Sequence, residues 1–106
     1  MAWMFLLAAG LLEIVWSFTM KLSQGFTHVT PTAVTVVAML ASFALLSISM
    51  KTLPLGTAYP VWTGIGAVGA FVVGVAALGE PLTIARVLAA ALIIAGLSIM
   101  KLTTSA

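Results

Sequence analysis

The chain has 106 residues, of which 63% are hydrophobic and 6% are charged, with a mean hydropathy of +1.31. Soluble domains carry about a quarter charged residues, so this composition excludes an ordinary soluble domain. The net charge of +2 is scattered along the chain, which argues against a nucleic-acid partner, and the absence of cysteine excludes disulfides and thiol chemistry.

The first apolar segment predicts a transmembrane helix over residues 2–20, closed by Lys21. Glu13 is the only acidic residue inside an apolar segment and lies within roughly 2–3 Å of the midpoint of this one. An ionisable group at the bilayer centre costs on the order of 3 kcal/mol on insertion scales, which makes Glu13 a candidate functional residue. The alternative is a protonated Glu13 that only hydrogen-bonds a neighbouring helix.

Small and aromatic residues flank Glu13 at helical spacing. Ala9 and Gly10 lie about one turn before it and are predicted to leave space beside the carboxylate. Trp16 lies one turn after it and is a candidate wall for a bound cation, an interaction of roughly 0.5–2 kcal/mol. The alternative role of an interfacial anchor suits Trp3 better, because Trp16 lies well inside the span.

The second apolar segment predicts a helix over residues 31–50 that starts at Pro31. Ser42 lies close to its centre. A serine at this depth commonly bonds the carbonyl four residues earlier in its own helix. The alternative is that Ser42 donates to Glu13 and fixes the rotamer of the carboxylate.

The third helix is predicted over residues 57–78. Tyr59 and Trp62 lie three residues apart on one face, where both are candidate walls of a binding site. Pro60 removes a backbone donor, which is tolerable near a helix start. Small residues allow close helix packing in lipid, and clustered glycines also permit a bend. Both interpretations apply to the glycines of this segment, which are Gly64, Gly66, Gly69 and Gly74.

The chain breaks at Gly79-Glu80-Pro81, where Glu80 is predicted to lie solvated at the membrane interface. Thr83 is predicted to cap a fourth helix over residues 84–101, followed by a short polar tail that ends at residue 106. One stripe of this helix carries small residues, including Ala89 and Gly96. This stripe is a candidate dimer seam or, alternatively, an intramolecular packing face.

The charges give no clear orientation in the membrane. Four spans place Lys51 and Lys101 on one side, with both termini, and Lys21 and Arg86 on the other. Orientation normally follows an excess of Lys and Arg on the cytoplasmic side, and here the count is two against two. We therefore expect insertion in both orientations. Glycosylation or reporter tagging at the C-terminus should detect both, and a single orientation would contradict this prediction.

Four helices form too thin an object to enclose a solute path, so we expect an oligomer. Two oppositely inserted copies would form an inverted pair, the symmetry that secondary transporters commonly build within one chain. Alternating access follows if each copy adopts the shape of the other when the site changes sides.

Three motifs together resemble the small multidrug resistance family over essentially the whole chain. They are the run from Gly10 to Trp16, the run from Lys51 to Ala67, and Gly79-Glu80-Pro-Leu-Thr83. Within the family, Trp16 and Ser42 resemble the guanidinium-exporter subtype, since the multidrug subtype has glycine where this chain has Trp16.

The resemblance implies an all-α integral membrane protein whose single domain, residues 1–106, pairs as an antiparallel homodimer. It implies exchange of protons for a guanidinium-type cation across the inner membrane of a prokaryote, without enzymatic activity, metal or cofactor. It further implies a set of functional residues. They are Glu13, Ser42, Trp16, Tyr59, Trp62 and Gly10 at the substrate and proton site, Gly64 and Gly66 at a hinge, and Ala89 and Gly96 at the dimer seam.

Two positions depart from the family pattern. Pro60 stands where alanine is expected, which could stiffen the start of helix 3, and Ala89 stands where the seam often has glycine. Three other functions stay open at this point. They are a multidrug exporter of quaternary ammonium and other hydrophobic cations, a dual-topology cation channel, and a non-transporting membrane subunit.

Overall fold

The computed structural model describes residues 1–103, which form four helices. The helices are α1 (Ala2–Leu22), α2 (Val29–Ser49), α3 (Leu55–Leu78) and α4 (Ile84–Thr103). Each is long and apolar enough to cross a membrane, which confirms the predicted all-α class with four candidate spans. The predicted polar tail lies outside the described residues from 104 onward.

Two helices begin earlier than predicted. Helix α2 begins two residues before Pro31, which lies in the first turn, where a missing N–H has no helical partner. Helix α3 begins at Leu55, so Pro60 lies inside the helix rather than at its start. Pro60 therefore removes the N–H that would pair with the Gly56 carbonyl, and the prediction that this loss is harmless rested on the wrong boundary.

The turn between α3 and α4 follows the predicted chemistry. Gly79 has φ +67° in the left-handed region, which ends α3 where only glycine is unstrained. The Thr83 hydroxyl accepts a hydrogen bond from the Arg86 N–H at 3.2 Å, which confirms Thr83 as the N-cap of α4.

Helices α1, α2 and α3 pack against one another, and α4 packs mainly against α3. The Lys101 ammonium of α4 also lies over the Trp3 ring of α1, 5.2 Å from its centroid. The Cα trace measures 43 × 34 × 16 Å, so its shortest extent is larger than the width of one helix, about 10–12 Å with side chains. The described residues therefore form a flat bundle that is more than one helix thick.

The core lies where α1, α2 and α3 meet. Its buried members include Leu6, Ala9, Leu46 and Trp62. Among residues 1–103, α4 contributes no buried residue, and its small residues Ala89 and Gly96 are exposed. A Cβ on Gly96 would meet open space. The stripe on α4 is thus free for a partner, and its role as a dimer seam stays a prediction.

Candidate functional site

The carboxylate of Glu13 lies against the backbone of Gly66 in α3. The contact is so close that a Cβ at Gly66 would overlap the carboxylate. Glycine is therefore required at this position to leave room for the acid. In the part of the chain that the structure describes, Glu13 Oε1 is buried and has no hydrogen-bond partner.

Gly10 was predicted to clear space beside Glu13, and the structure places it elsewhere. The side chain that lies against Gly10 is Ile65 of α3, whose Cγ2 would be 2.6 Å from an added Cβ. Gly10 thus makes its close contact with Ile65 one turn before Glu13, and its role at the substrate site stays a prediction. Gly66 supplies the space that had been assigned to Gly10.

Trp16 presents a second unpaired polar atom one turn after Glu13. Its Nε1 is buried without a hydrogen-bond partner among residues 1–103. The indole meets Phe43 of α2 edge to face, with ring centroids 6.3 Å apart. An acceptor and a donor on neighbouring turns of α1 are therefore both available for a ligand, at a cost of roughly 1–3 kcal/mol for each group left unpaired.

Ser42 links α2 to α1 and α3, in neither of the two ways predicted. Its hydroxyl donates to the Ala9 carbonyl at 2.7 Å and accepts a hydrogen bond from Trp62 Nε1 at 3.0 Å. Its only proton is thus committed to Ala9, so Ser42 does not donate to Glu13. In α1, Ala9 is four residues before Glu13. In α3, Trp62 is four residues before Gly66, which contacts the Glu13 carboxylate. The Ser42 bonds therefore lie one turn from the carboxylate, roughly 6 Å along the helices.

An aromatic row runs across the same junction. Trp62 lies at its centre, with ring centroids 5.6 Å from Tyr59 and 5.8 Å from Phe43, and Phe43 connects it to Trp16. The structure thus brings together the predicted aromatic residues Trp16, Tyr59 and Trp62. Tyr59 and Phe43 are 50% and 44% exposed, so part of the row lies at the surface of the chain.

Phe43 is a member of this row that the sequence reasoning missed. The available signal was its position directly after Ser42, near the middle of an apolar helix. Consecutive helical residues point about 100° apart, so Phe43 was not expected on the side of Ser42. It nevertheless reaches both tryptophans because its ring is large.

The glycines predicted as a hinge are points of close helix contact. Gly64 lies against Leu97 of α4, with Cδ1 2.7 Å from an added Cβ, and Gly66 lies against Glu13. The structure describes α3 as one helix through both positions. The packing interpretation therefore accounts for their small size, and a bend at Gly64 and Gly66 stays a prediction.

The sequence of the chain matches a known protein family. The sequence profile of the Small Multidrug Resistance protein family matches residues 1–93. The chain belongs to the small multidrug resistance family. The predicted family is thereby confirmed.

Several relatives cover almost the full length of both chains. A protein of Citrobacter freundii named guanidinium exporter is 54% identical over 98% of this chain and 99% of its own. Proteins with the same name from Salmonella typhimurium strain LT2 and Yersinia pseudotuberculosis are 54% and 53% identical over 96% of this chain, and over 97% and 98% of their own. Family membership and four apolar helices make this chain a multi-pass protein of a prokaryotic inner membrane, as predicted.

Proposed function

We propose that this member of the small multidrug resistance family exports guanidinium-type cations in exchange for protons. The observation that carries the proposal is the Glu13 oxygen, which is buried in the first apolar helix without a hydrogen-bond partner among residues 1–103, one turn from Trp16 of the aromatic row. The name of relatives that are 54% identical over nearly the whole chain supports the same substrate.

The chemistry of the site suits a planar cation with N–H donors. A guanidinium ion presents its donors in a fork that matches a carboxylate at two points. The free Glu13 oxygen would accept from one arm of this fork. Aromatic faces attract cations through their quadrupole, which favours a cation near Trp16 and Trp62. The Ser42 oxygen, which already accepts from Trp62, has a second lone pair for a further donor.

Exchange follows from competition at one residue. A proton and a guanidinium ion cannot occupy the same carboxylate oxygens together, so binding of one releases the other. In a dimer, two Glu13 carboxyl groups that meet would titrate as a coupled unit. With alternating access, the inward proton gradient then drives the organic cation outward.

The site requires a second copy of the chain. One copy leaves Tyr59, Phe43 and the small-residue stripe on α4 exposed, so these surfaces need a partner to seal a path. The balanced distribution of Lys and Arg permits two opposite orientations. An antiparallel homodimer satisfies both observations, because it covers these surfaces and gives the pair inverted symmetry.

The test is pH-gradient-driven uptake of guanidinium into vesicles that contain the purified protein, compared with uptake of tetraethylammonium. We expect guanidinium to accumulate against its gradient and tetraethylammonium, which lacks N–H donors, to move far less. Preferred transport of tetraethylammonium would favour the multidrug exporter. Rapid flux that never runs uphill would favour a channel, and absence of pH-dependent cation binding would favour a non-transporting subunit.

Substitution of Ser42 by alanine should weaken guanidinium binding without removing proton coupling. The change leaves the buried Trp62 N–H without its acceptor, a cost of roughly 1–3 kcal/mol that loosens the aromatic row. Guanidinium affinity and substrate-driven proton release measure the two effects separately. Ser49→Ala is the matched control, because Ser49 is equally buried and its hydroxyl donates to the Leu46 carbonyl of its own helix. Unchanged affinity in Ser42→Ala would mean that Ser42 has only a structural role.

A further inference from the structure

The chain contains two acidic residues, and both rest against a glycine of α3. Glu13 lies on Gly66, and Glu80 lies on Gly74, where an added Cβ would overlap the Glu80 carboxylate. The two glycines are eight residues apart, roughly 12 Å along the helix axis and close to the same face. Both carboxylates therefore lie along the crease between α1 and α3.

Glu80 is held in this position by the end of α3. The left-handed conformation of Gly79 reverses the chain, and the Glu80 N–H donates to the Gly74 carbonyl at 3.0 Å. The side chain then folds back over Gly74 and is half-buried. The sequence predicted a solvated Glu80, and that prediction is wrong because the turn directs the side chain onto the bare backbone of Gly74.

Glu80 lines a cavity at the loop end of the crease between α1 and α3. The cavity has a volume of about 180 Å³, and its walls include Ser17 and Lys21 of α1. Ser17 is four residues after Glu13, one turn closer to the loop side of the membrane. Glu80 thus lies nearer to the loop side of the membrane than Glu13, and Ile14 packs against Gly69 between the two carboxylates. A cation that approaches from this side would meet Glu80 before Glu13. Lys21 lines the same cavity, so an arriving cation competes with its ammonium group for the Glu80 carboxylate.

We propose that Glu80 is a capture residue, which attracts guanidinium-type cations to the loop end of the α1–α3 crease before they reach Glu13. This inference rests on the proposed function and adds a second, peripheral contact site for the transported cation. A carboxylate at the edge of a low-dielectric wall raises the local concentration of cations and so increases their association rate. Glu80 affects the association rate of the cation, whereas Glu13 affects its dissociation rate.

The experiment is stopped-flow measurement of guanidinium association, followed by tryptophan fluorescence of the full chain in detergent or vesicles. At low salt we expect Glu80→Gln to slow association about threefold, the effect of one unit charge at roughly 6 Å in water, with little change in the dissociation rate. In 1 M potassium chloride the difference should vanish, because the Debye length falls to about 3 Å. Acidic residues contribute little to membrane orientation, so this variant leaves the topology unchanged.

A second variant tests the position of the charge rather than its presence. Gly74→Ala keeps the carboxylate but forces it off the helix, and we expect slower association in the same salt-dependent manner. Gly56→Ala is the control, because it adds the same methyl group to α3 in open space. A change at Lys21 would be less informative, since that residue also contributes to orientation.

The outcomes separate this inference from the function on which it rests. If Glu80→Gln associates as fast as the unaltered protein at low salt, or if its slowing persists at high salt, the capture role is wrong while guanidinium export stands. If the unaltered protein does not bind guanidinium at all, the proposed function fails and the capture role fails with it.

Discussion

Glu13→Gln is expected to abolish both guanidinium binding and proton-coupled flux. The amide cannot exchange a proton near neutral pH, and it replaces two charge-assisted hydrogen bonds by a neutral contact. Each such bond contributes roughly 1.5–3 kcal/mol, so affinity should fall about 100-fold or more. The buried oxygen without a partner is the atom that the substitution changes. Fluorescence titration with guanidinium and proton release on substrate addition measure the two losses.

The matched variant is Glu13→Asp, which keeps an acid at the same depth and shortens it by one methylene. We expect weaker binding with proton release retained, because the exchangeable proton is still present. Substrate-driven proton movement that survives in Glu13→Gln would contradict the mechanism, since no other acidic residue lies inside an apolar segment.

Much of the fold could be predicted from the sequence. The four helices follow from apolar segments near the membrane-spanning length, and Thr83 and Gly79 mark helix ends by residue chemistry alone. These features are local, because each depends on a few neighbouring residues. The boundaries were wrong by two residues at the starts of α2 and α3 and at the ends of α1 and α4, and by one residue at the end of α2.

The contacts between helices could not be predicted in the same way. Helical spacing places Gly10 and Glu13 near one face of α1 but does not give the residue of α3 that each one meets. The structure pairs three side chains with three glycines along the crease: Ile65 with Gly10, Glu13 with Gly66, and Ile14 with Gly69. This register depends on the rotation of α3 about its own axis, and several pairings of side chain and glycine fit the same spacing.

The partner of Ser42 was missed for a related reason. The sequence indicated a serine near the depth of Glu13 and left open whether it bonds its own helix or donates to the carboxylate. Ser42 instead meets α1 one turn before the carboxylate, where it donates to the Ala9 carbonyl, and it accepts from Trp62 of α3. Its level along the helices was predicted to within one turn, whereas its position around the helix axis was not.

Gly66→Ala should reduce guanidinium affinity and transport roughly tenfold or more. The added Cβ overlaps the Glu13 carboxylate, which is the end of a flexible side chain and moves aside while the helices stay packed. A displaced carboxylate loses alignment with the fork of a guanidinium ion, and losing one charge-assisted hydrogen bond costs roughly 1.5–3 kcal/mol. Vesicle uptake and fluorescence titration, with helix content as a check on folding, measure the effect.

Gly69→Ala is the comparison that separates an effect on the position of the Glu13 carboxylate from an effect on the packing of α1 against α3. Its Cβ enters the same crease three residues later and overlaps Ile14 rather than Glu13. We expect this variant to retain guanidinium affinity within about threefold, less than one charge-assisted hydrogen bond contributes. Equal losses in Gly66→Ala and Gly69→Ala would mean that close approach of α1 and α3 is what transport requires. A loss confined to Gly66→Ala would identify the bare backbone of Gly66 as the feature that sets the position of the carboxylate.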